Sequence, residues 1–249
     1  MKKLLLLIFL LIPLTAYSGV VTSGVVLNGI STESSGGEAV AECPTGSLVC
    51  QNFEGAGYDN SESWVEYVGT NGIVDEDDTT ATVLKGLQQI KLYAGDSGQT
   101  SNTYIQYTAK SEVWFHVRVK FTDATPSNST YAILLTNGVS SPAWLSLLTT
   151  GKVRAYQGTV YSAGSATLAN DTAYHVWGYY KASEAGQNNG IFTLWIGTTT
   201  TRPETADCSV TTGTSEADVS RFQLQEKYQG TAYFDQVIVD DAEFTTVAE

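Results

Sequence analysis

The chain has 249 residues, of which only 16% are charged, with 26 acidic against 13 basic side chains. Its formal net charge of −13 argues against nucleic acid and anionic membrane surfaces as partners, because both repel an acidic protein. Acidity of this kind is typical of solubility in a salty exterior, and the alternative is capture of divalent cations.

The first 18 residues have the pattern of a secretory signal peptide. Two lysines precede an apolar run over residues 4–14, and the small residues Ala16 and Ser18 follow before the expected cleavage site. A membrane span needs roughly 20 apolar residues, and no comparable run comes later, so we predict no membrane insertion. We therefore expect an exported protein, extracellular or periplasmic, and no lipid anchor because no cysteine stands directly after the cleavage site.

Three cysteines, Cys43, Cys50 and Cys208, remain after that cleavage. An oxidising compartment favours one disulfide and one remaining thiol. A bond between Cys43 and Cys50 would close a short local loop, whereas a bond to Cys208 would tie the N-terminal strand to a late loop. The local pair is the preferred candidate, and both pairings stay open at this stage.

Residues 19–47 are predicted to be a flexible leader or linker, because most of this stretch is small, polar and without a sustained period. From Leu48 onwards, short apolar or alternating runs are separated by Gly, Asn, Asp, Ser and Thr. We interpret twelve of these runs as strands: "LVCQNFE", "WVEYV", "QQIKLYA", "TYIQYTA", "EVWFHVRVKF", "YAILLTN", "WLSLLTT", "KVRAYQ", "YHVWGYYKA", "IFTLWIG", "RFQLQEKY" and "AYFDQVIVD". This spacing predicts one all-β domain over residues 48–249, a two-sheet antiparallel β-sandwich (jelly roll).

Two shorter stretches lead to separate structural predictions. "LLTTGKVRAY" (147–156) is predicted to be a hairpin in which Gly151 supplies the permissive turn residue. "VDEDDTT" (74–80) is dense in acid but lacks the spacing of a dedicated calcium loop, so we expect a solvated loop.

The strand "SEVWFHVRVKF" (111–121) alternates between two kinds of side chain. The side chains on one side of the strand are apolar and are predicted to face the core. Those on the other side are aromatic and cationic. The same test on neighbouring runs gives a set of candidate ligand-binding residues: Lys91, Tyr93, Trp114, His116, Arg118, Lys120, His175 and Trp177. Arg154 and Tyr156 also share a face, as does Lys181 with His175.

Such a set suits an anionic glycan. Aromatic rings stack on the apolar faces of sugars, and uronate or sulfate groups require Arg or Lys. The alternative is that the cations extend over an exposed sheet for solubility while the aromatics pack under loops. The expected partner is an extracellular polysaccharide or glycoconjugate.

The order of these elements resembles the laminin-G-like branch of the concanavalin A-like lectin/glucanase jelly rolls, over roughly residues 48–241. The resemblance is carried by "NFEG" (52–55), "VWFHVRVKF" (113–121), "LLTTGKVRAY", "LANDTAYHVWGYYK" (168–181), "FTLWIG" (192–197) and "YFDQVIVDD" (233–241). It implies two curved sheets with a concave outer face that relatives use to hold oligosaccharides. "NFEG" with "YFDQV" also resembles galactose-binding-like modules, another jelly roll that binds sugars.

In both families, acidic residues near the first and last strands meet at a structural calcium ion, and Glu54 and Asp235 stand at the matching positions. Hard oxygen ligands of this kind suit calcium. The alternative is that both residues are ordinary loop carboxylates. No organic cofactor is expected.

The sequence gives no catalytic residues that we would assign. A glucanase of this fold resembles its family through Glu-x-Asp-x-x-Glu, but Glu216-Ala-Asp218-Val-Ser-Arg221 lacks the third carboxylate. Alginate lyases of the fold show a Gln-Ile-His strand, where this chain has Gln89-Ile90-Lys91. We therefore predict a secreted glycan-binding or adhesive module. The alternatives are a divergent polysaccharide lyase and a structural surface or particle component without a ligand.

Overall fold

The computed structural model describes residues 43–53, 64–79, 84, 88–95, 99–227 and 230–248. The predicted signal peptide and most of the leader lie outside the described residues. Residues 40–249 form one compact unit by their contacts. Within the described residues, no helix is long and apolar enough to cross a membrane.

Fifteen strands are found among the described residues. They are β1 (Val49–Gln51), β2 (Trp64–Tyr67), β3 (Ile73–Asp77), β4 (Gln89–Tyr93), β5 (Thr100–Lys110), β6 (Glu112–Phe121), β7 (Thr130–Thr136), β8 (Ala143–Leu147), β9 (Lys152–Gln157), β10 (Val160–Thr167), β11 (Ala173–Lys181), β12 (Gly190–Gly197), β13 (Cys208–Gly213), β14 (Val219–Lys227) and β15 (Thr231–Asp240).

These strands form two antiparallel sheets, as the sequence predicted. The first sheet has the order β13-β12-β11-β6-β15-β4-β3, with β1 paired to β15, and the second has the order β10-β9-β8-β7-β14-β5-β2. The first and last strands are neighbours, with Val49 opposite Val239. The protein is thus a two-sheet β-sandwich, and each sheet has an inner face toward the core and an outer face away from it.

The core forms where the apolar parity of each strand meets the other sheet. Val113, Phe115, Val117 and Val119 of β6 are all at most 1% exposed, so the alternation in this strand marks the core side as expected. Phe115 contacts Phe222 of the second sheet with ring centroids 5.3 Å apart, which joins the two sheets directly.

The predicted hairpin at 147–156 is confirmed. β8 and β9 pair antiparallel, and the Gly151 amide donates to the Leu148 carbonyl at 2.9 Å. Gly151 has a φ of 74°, a conformation that only glycine adopts without strain.

Three strands were not predicted: β3, β10 and β13. The expectation of a solvated loop over 74–80 is wrong for its first part, because Ile73–Asp77 is the edge strand of the first sheet. An edge strand tolerates acidic side chains, since one side of it faces solvent, and charge there also discourages pairing with other chains. β10 is rich in small and polar residues and β13 in Ser and Thr, so neither shows the apolar alternation that marks a strand.

Cys43 and Cys50 form a disulfide with a Cα–Cα distance of 5.8 Å. Cys208 is free and 2% exposed, with its sulfur in the core. Burial raises the pKa of this thiol to about 12, so it stays protonated and unreactive at neutral pH.

Candidate functional site

The eight ligand-binding candidates from the sequence all lie on the outer face of the first sheet. Strands β4, β15, β6 and β11 are consecutive, and the register aligns His175 with Arg118, Trp177 with His116, and Lys120 with Tyr233. Lys91 is opposite Tyr233 in turn, which places it in line with Lys120. Alternation therefore correctly grouped these residues on one surface.

Part of that surface is covered. Three of the predicted ligand-binding residues, His116, His175 and Trp177, are only 0%, 4% and 1% exposed, so they are not accessible to a ligand as predicted. The covering element is the C-terminal segment, residues 241–248, in which Phe244 and Val247 pack with Trp177. A sugar ring cannot stack on Trp177 while this segment lies there.

Backbone hydrogen bonds hold the C-terminal segment in place. The Val247 amide donates to the Thr200 carbonyl at 3.0 Å, and the Arg202 amide donates to the Thr245 carbonyl at 2.8 Å. The Arg202 guanidinium forms an ion pair with Glu243 and lies 4.4 Å from the centroid of the Trp195 ring. Hydrogen bonds and an ion pair thus hold the C-terminal segment against the first sheet.

The two histidines form a buried pair beneath this cover. His116 Nδ1 lies 3.1 Å from the Gln236 carbonyl oxygen, and because a carbonyl only accepts, Nδ1 carries the proton. In the neutral ring His116 Nε2 then accepts from His175 Nδ1, at 2.9 Å. Both histidines are therefore engaged with the protein rather than presented to a ligand.

Carboxylates offset the positive charge of this face. Asp235 is opposite Arg118, Asp75 is opposite Lys91, and Glu112 is opposite Lys181. Burial lowers the pKa of Lys120, and the nearby Asp171 and Asp77 carboxylates partly counter that effect. The first sheet is thus a mixed-charge surface and a poor general attractor for anions.

Of the two proposed calcium ligands, only Asp235 lies within the described residues. Glu54 lies outside the described residues. Asp235 is 0% exposed, and its Oδ1 accepts the Gln236 amide at 2.7 Å. No group of three or more His, Cys, Asp or Glu side chains able to hold a metal ion occurs in the described ranges. Asp235 alone does not make a site, so calcium binding stays a prediction that depends on Glu54.

If that prediction holds, calcium will raise the melting temperature. A ligand that binds only the native state at a hundredfold excess over its Kd adds about 2.7 kcal/mol. Glu54→Gln should abolish the shift measured by thermal unfolding with calcium and with chelator. Asp78→Asn, at an exposed carboxylate, is the control. A shift that persists in Glu54→Gln would place any calcium site elsewhere.

The outer face of the second sheet presents a different row of side chains. One continuous register crosses all seven strands and aligns Tyr161, Tyr156, Trp144, Leu134, Gln223, Tyr104 and Val65. Tyr161 and Val65, at the two ends, are 55% and 42% exposed. This row runs across the strands, so a long ligand lying along it would contact several strands at once.

The aromatic half of the row is closely stacked. The Trp144 and Tyr156 rings have centroids 4.8 Å apart and an interplanar angle of 13°, and the Tyr156 and Tyr161 centroids are 5.3 Å apart. Tyr131, 45% exposed, borders Trp144 at 5.5 Å. Together these four side chains, Tyr131, Trp144, Tyr156 and Tyr161, form what we call the aromatic platform.

Arg154 sits within the aromatic platform. Its guanidinium lies 4.4 Å from the Tyr161 ring centroid, and its Nη1 donates to the Tyr156 hydroxyl at 2.9 Å. These contacts fix the charge among the rings. The cation is therefore held in a defined place on the outer face of the second sheet.

The second sheet is nearly free of carboxylates. Residues 124–170, which include β7 to β10, contain no Asp or Glu, although the chain as a whole carries 26. β5 also lacks acidic residues, and the carboxyl of Glu226 in β14 is buried at 4% exposure. Glu66 of β2 is exposed but has inner-face parity, so the outer face of the second sheet presents Arg154 and Arg221 without a carboxylate from its own described strands.

An open pocket of ≈ 270 Å³ adjoins the polar half of the row. It is lined by Thr136, Gly138, Val139, Ser140, Ser141, Arg221 and Gln223. Gln223 belongs to both the pocket and the row, so the two are continuous.

Only part of this face was found from sequence. Alternation in β9 placed Arg154 and Tyr156 on one side, but these two residues were grouped with β6 and β11, which belong to the other sheet. Trp144, Tyr161 and Arg221 were missed. The signal that could have revealed the face is the long stretch without acid, residues 124–170.

No protein-family model and no curated protein matches the sequence. Solved structures do match. A protein titled "Sialidase" aligns with a TM-score of 0.59 and 11% identity, over 79% of this chain and 19% of the sialidase. "Cellulose induced protein, Cip1" aligns with a TM-score of 0.59 and 14% identity, over 79% of this chain and 99% of Cip1.

A third match is a marine PL-14 alginate lyase from Aplysia kurodai, with a TM-score of 0.55 and 7% identity, over 79% of this chain and 99% of the lyase. The chain thus spans about a fifth of the sialidase and almost all of the other two. At these identities the similarity concerns the fold, a β-sandwich. Membership of the laminin-G-like branch stays a prediction.

Proposed function

We propose that this protein is an exported glycan-binding module whose binding surface is the outer face of the second sheet. The observation that carries the proposal is the aromatic platform with Arg154 fixed inside it. A row of partly exposed aromatic side chains offers apolar surface to successive sugar units, and the polar groups beside them suit hydroxyls. Export is inferred from the N-terminal pattern and from the Cys43–Cys50 disulfide.

The ligand in this proposal is an anionic polysaccharide. A carboxylate-free face with two arginines on a protein of net charge −13 attracts anions locally while the rest of the surface repels them. The structural similarity to an alginate lyase is compatible with such a ligand, although the similarity itself concerns the fold.

The test is retention of the purified protein on immobilised polysaccharides at low salt. Trp144→Ala should lose most retention, because it removes the centre of the aromatic platform. Trp114→Ala is the matched control: its indole stacks on Tyr179 on the first sheet, at 4.3 Å between centroids. We expect Trp114→Ala to keep wild-type retention.

The same assay separates the competing functions. Retention without new unsaturated sugar ends is the expected result. Absorbance from unsaturated product would instead indicate a lyase. Absence of retention on every polysaccharide would favour a structural component without a ligand. Loss of retention in Trp114→Ala but not in Trp144→Ala would move the site to the first sheet.

A further inference from the structure

We infer that the C-terminal segment, residues 241–248, lifts from the first sheet while the sandwich stays folded, and that this opening makes Trp177 accessible. The opening is a property of the first sheet, and it goes beyond the proposed function because it does not require a glycan to bind. Three features of the closed segment support it: its packing, its backbone pairing and the polar atoms that it contacts.

The apolar contacts of the segment belong to a small cluster. Trp177, Ile238 and Val247 form this cluster, with Phe244 and Trp195 packed against it. None of these five residues is part of the larger core between the two sheets. The segment can therefore lose its apolar contacts while that core stays intact, which is the condition for local rather than global opening.

The backbone of the segment pairs with the loop that connects β12 to β13. An isolated antiparallel bridge joins Thr246 to Thr201, and both threonines are exposed. The hydrogen bonds donated by the Val247 and Arg202 amides lie on either side of this bridge. Breaking these two bonds removes nothing from the strand ladders of the two sheets, and short exposed pairings of this kind open at the low end of local stability.

Two buried polar atoms next to the segment have no hydrogen-bond partner among the described residues. They are Trp177 Nε1 and Gln236 Oε1, and both residues are 1% exposed. Both side chains contact the segment: Phe244 and Val247 pack with Trp177, and Gln236 Nε2 donates to the Ala248 carbonyl at 2.8 Å. Unpaired buried polar groups are unfavourable, and lifting the segment lets water approach these two. The closed state thus carries a cost that opening relieves.

The backbone at Gln236 is also strained in the closed state. Its φ is 48°, in the left-handed region, and it lies where the pairing of β15 with β6 shifts between Asp235 and Ile238. A residue other than glycine adopts this conformation at a cost, and a bulge redirects the side chain that it carries. The side chain in question is the one that holds Ala248, so the strain lies at the contact between sheet and segment.

Opening changes what the first sheet presents to solvent. Trp177 lies between two imidazoles, with ring centroids 4.9 Å from His116 and 5.4 Å from His175. With the segment in place this group is buried, and with the segment lifted the indole becomes a surface. The segment thus switches this part of the first sheet between a covered and an open state.

Native-state hydrogen exchange, followed by NMR at urea concentrations below the unfolding transition, tests this opening on the wild-type chain. The Val247 and Arg202 amides and the Trp177 indole N–H should exchange through one common opening whose free energy barely changes with urea. The amides of β6 and β11 should instead exchange through global unfolding, with protection that falls steeply as urea rises.

A crosslink between the segment and the loop provides the matched variant. Because the two backbone hydrogen bonds flank the bridge, Thr201 and Thr246 are a non-hydrogen-bonded pair, whose side chains lie closest in antiparallel strands. Thr201→Cys with Thr246→Cys should therefore oxidise to a disulfide, which mass spectrometry verifies. The crosslink should slow exchange of the Trp177 indole N–H about tenfold or more. Thr201→Ser with Thr246→Ser is the control, and it should stay within about threefold of wild type.

Each outcome decides the question. Common, nearly urea-independent exchange of the three N–H groups, slowed by the crosslink, is the expected result. Protection of these groups that falls with urea as steeply as that of the β6 and β11 amides would show that the segment detaches only when the whole protein unfolds, and would overturn the inference. Local exchange of the Val247 and Arg202 amides with a Trp177 indole that the crosslink does not affect would show that Trp177 stays covered, and would overturn it as well.

Discussion

Phe115→Ala should destabilise the protein by roughly 3–5 kcal/mol, the usual cost of truncating a fully buried aromatic side chain. Phe115 is 1% exposed and contacts Phe222 across the two sheets and Phe192 within its own. Its removal opens a cavity at the contact between the sheets. Equilibrium unfolding in urea, compared with wild type, measures the loss.

Two companion variants make this result specific. A Cβ at Gly178 would lie 2.1 Å from the Phe115 ring, so Gly178→Ala should also destabilise, by about 1–3 kcal/mol through overpacking. Val139→Ala is the control: its side chain is 97% exposed, and the expected change is within about 0.5 kcal/mol. A loss below about 1 kcal/mol in Phe115→Ala would contradict the assignment of β6's inner face to the core.

Glu226→Gln should remove a large part of the dependence of stability on pH. The Glu226 carboxyl is buried at 4% exposure, and this burial, with a smaller contribution from Asp123, raises its pKa to about 8. The folded state therefore holds a proton that the unfolded state releases near its ordinary pKa of 4.5. The corresponding stability is present in full below about pH 4.5 and is lost as pH rises through about 8.

Between pH 5 and pH 8.5, the free energy of unfolding of the wild-type protein should fall by a few kcal/mol, and that of Glu226→Gln should not show this fall. Urea unfolding at both pH values measures the difference. Glu204→Gln, at an exposed carboxylate, should follow wild type. Equal pH dependence in wild type and Glu226→Gln would show that the Glu226 carboxyl is ionised in the folded protein.

Much of the fold could be predicted from sequence because alternation is a local property. The twelve predicted strands are all present, and the Gly151 hairpin forms as expected. β3 escaped prediction because an edge strand tolerates acidic residues, and β10 and β13 because small and polar side chains mask the strand period.

The proposed binding face could not be predicted in the same way, because it depends on contacts between distant segments. Alternation shows that His116 and Trp177 can share a face, but not that residues 241–248 cover it. It likewise places Arg154 and Tyr156 together without showing that they lie on the sheet opposite Arg118. Sheet membership follows from strand pairing across the whole chain, which no single strand encodes.

The central claim is that glycan binds the outer face of the second sheet, and the five tryptophans of the chain allow a direct test. In an ¹H–¹⁵N correlation spectrum, each indole N–H gives its own signal, which single Trp→Phe variants assign. On titration with polygalacturonate, the Trp144 signal should shift while those of Trp114, Trp177 and Trp195 stay in place. Shifts of the latter three signals with an unmoved Trp144 signal would contradict the account.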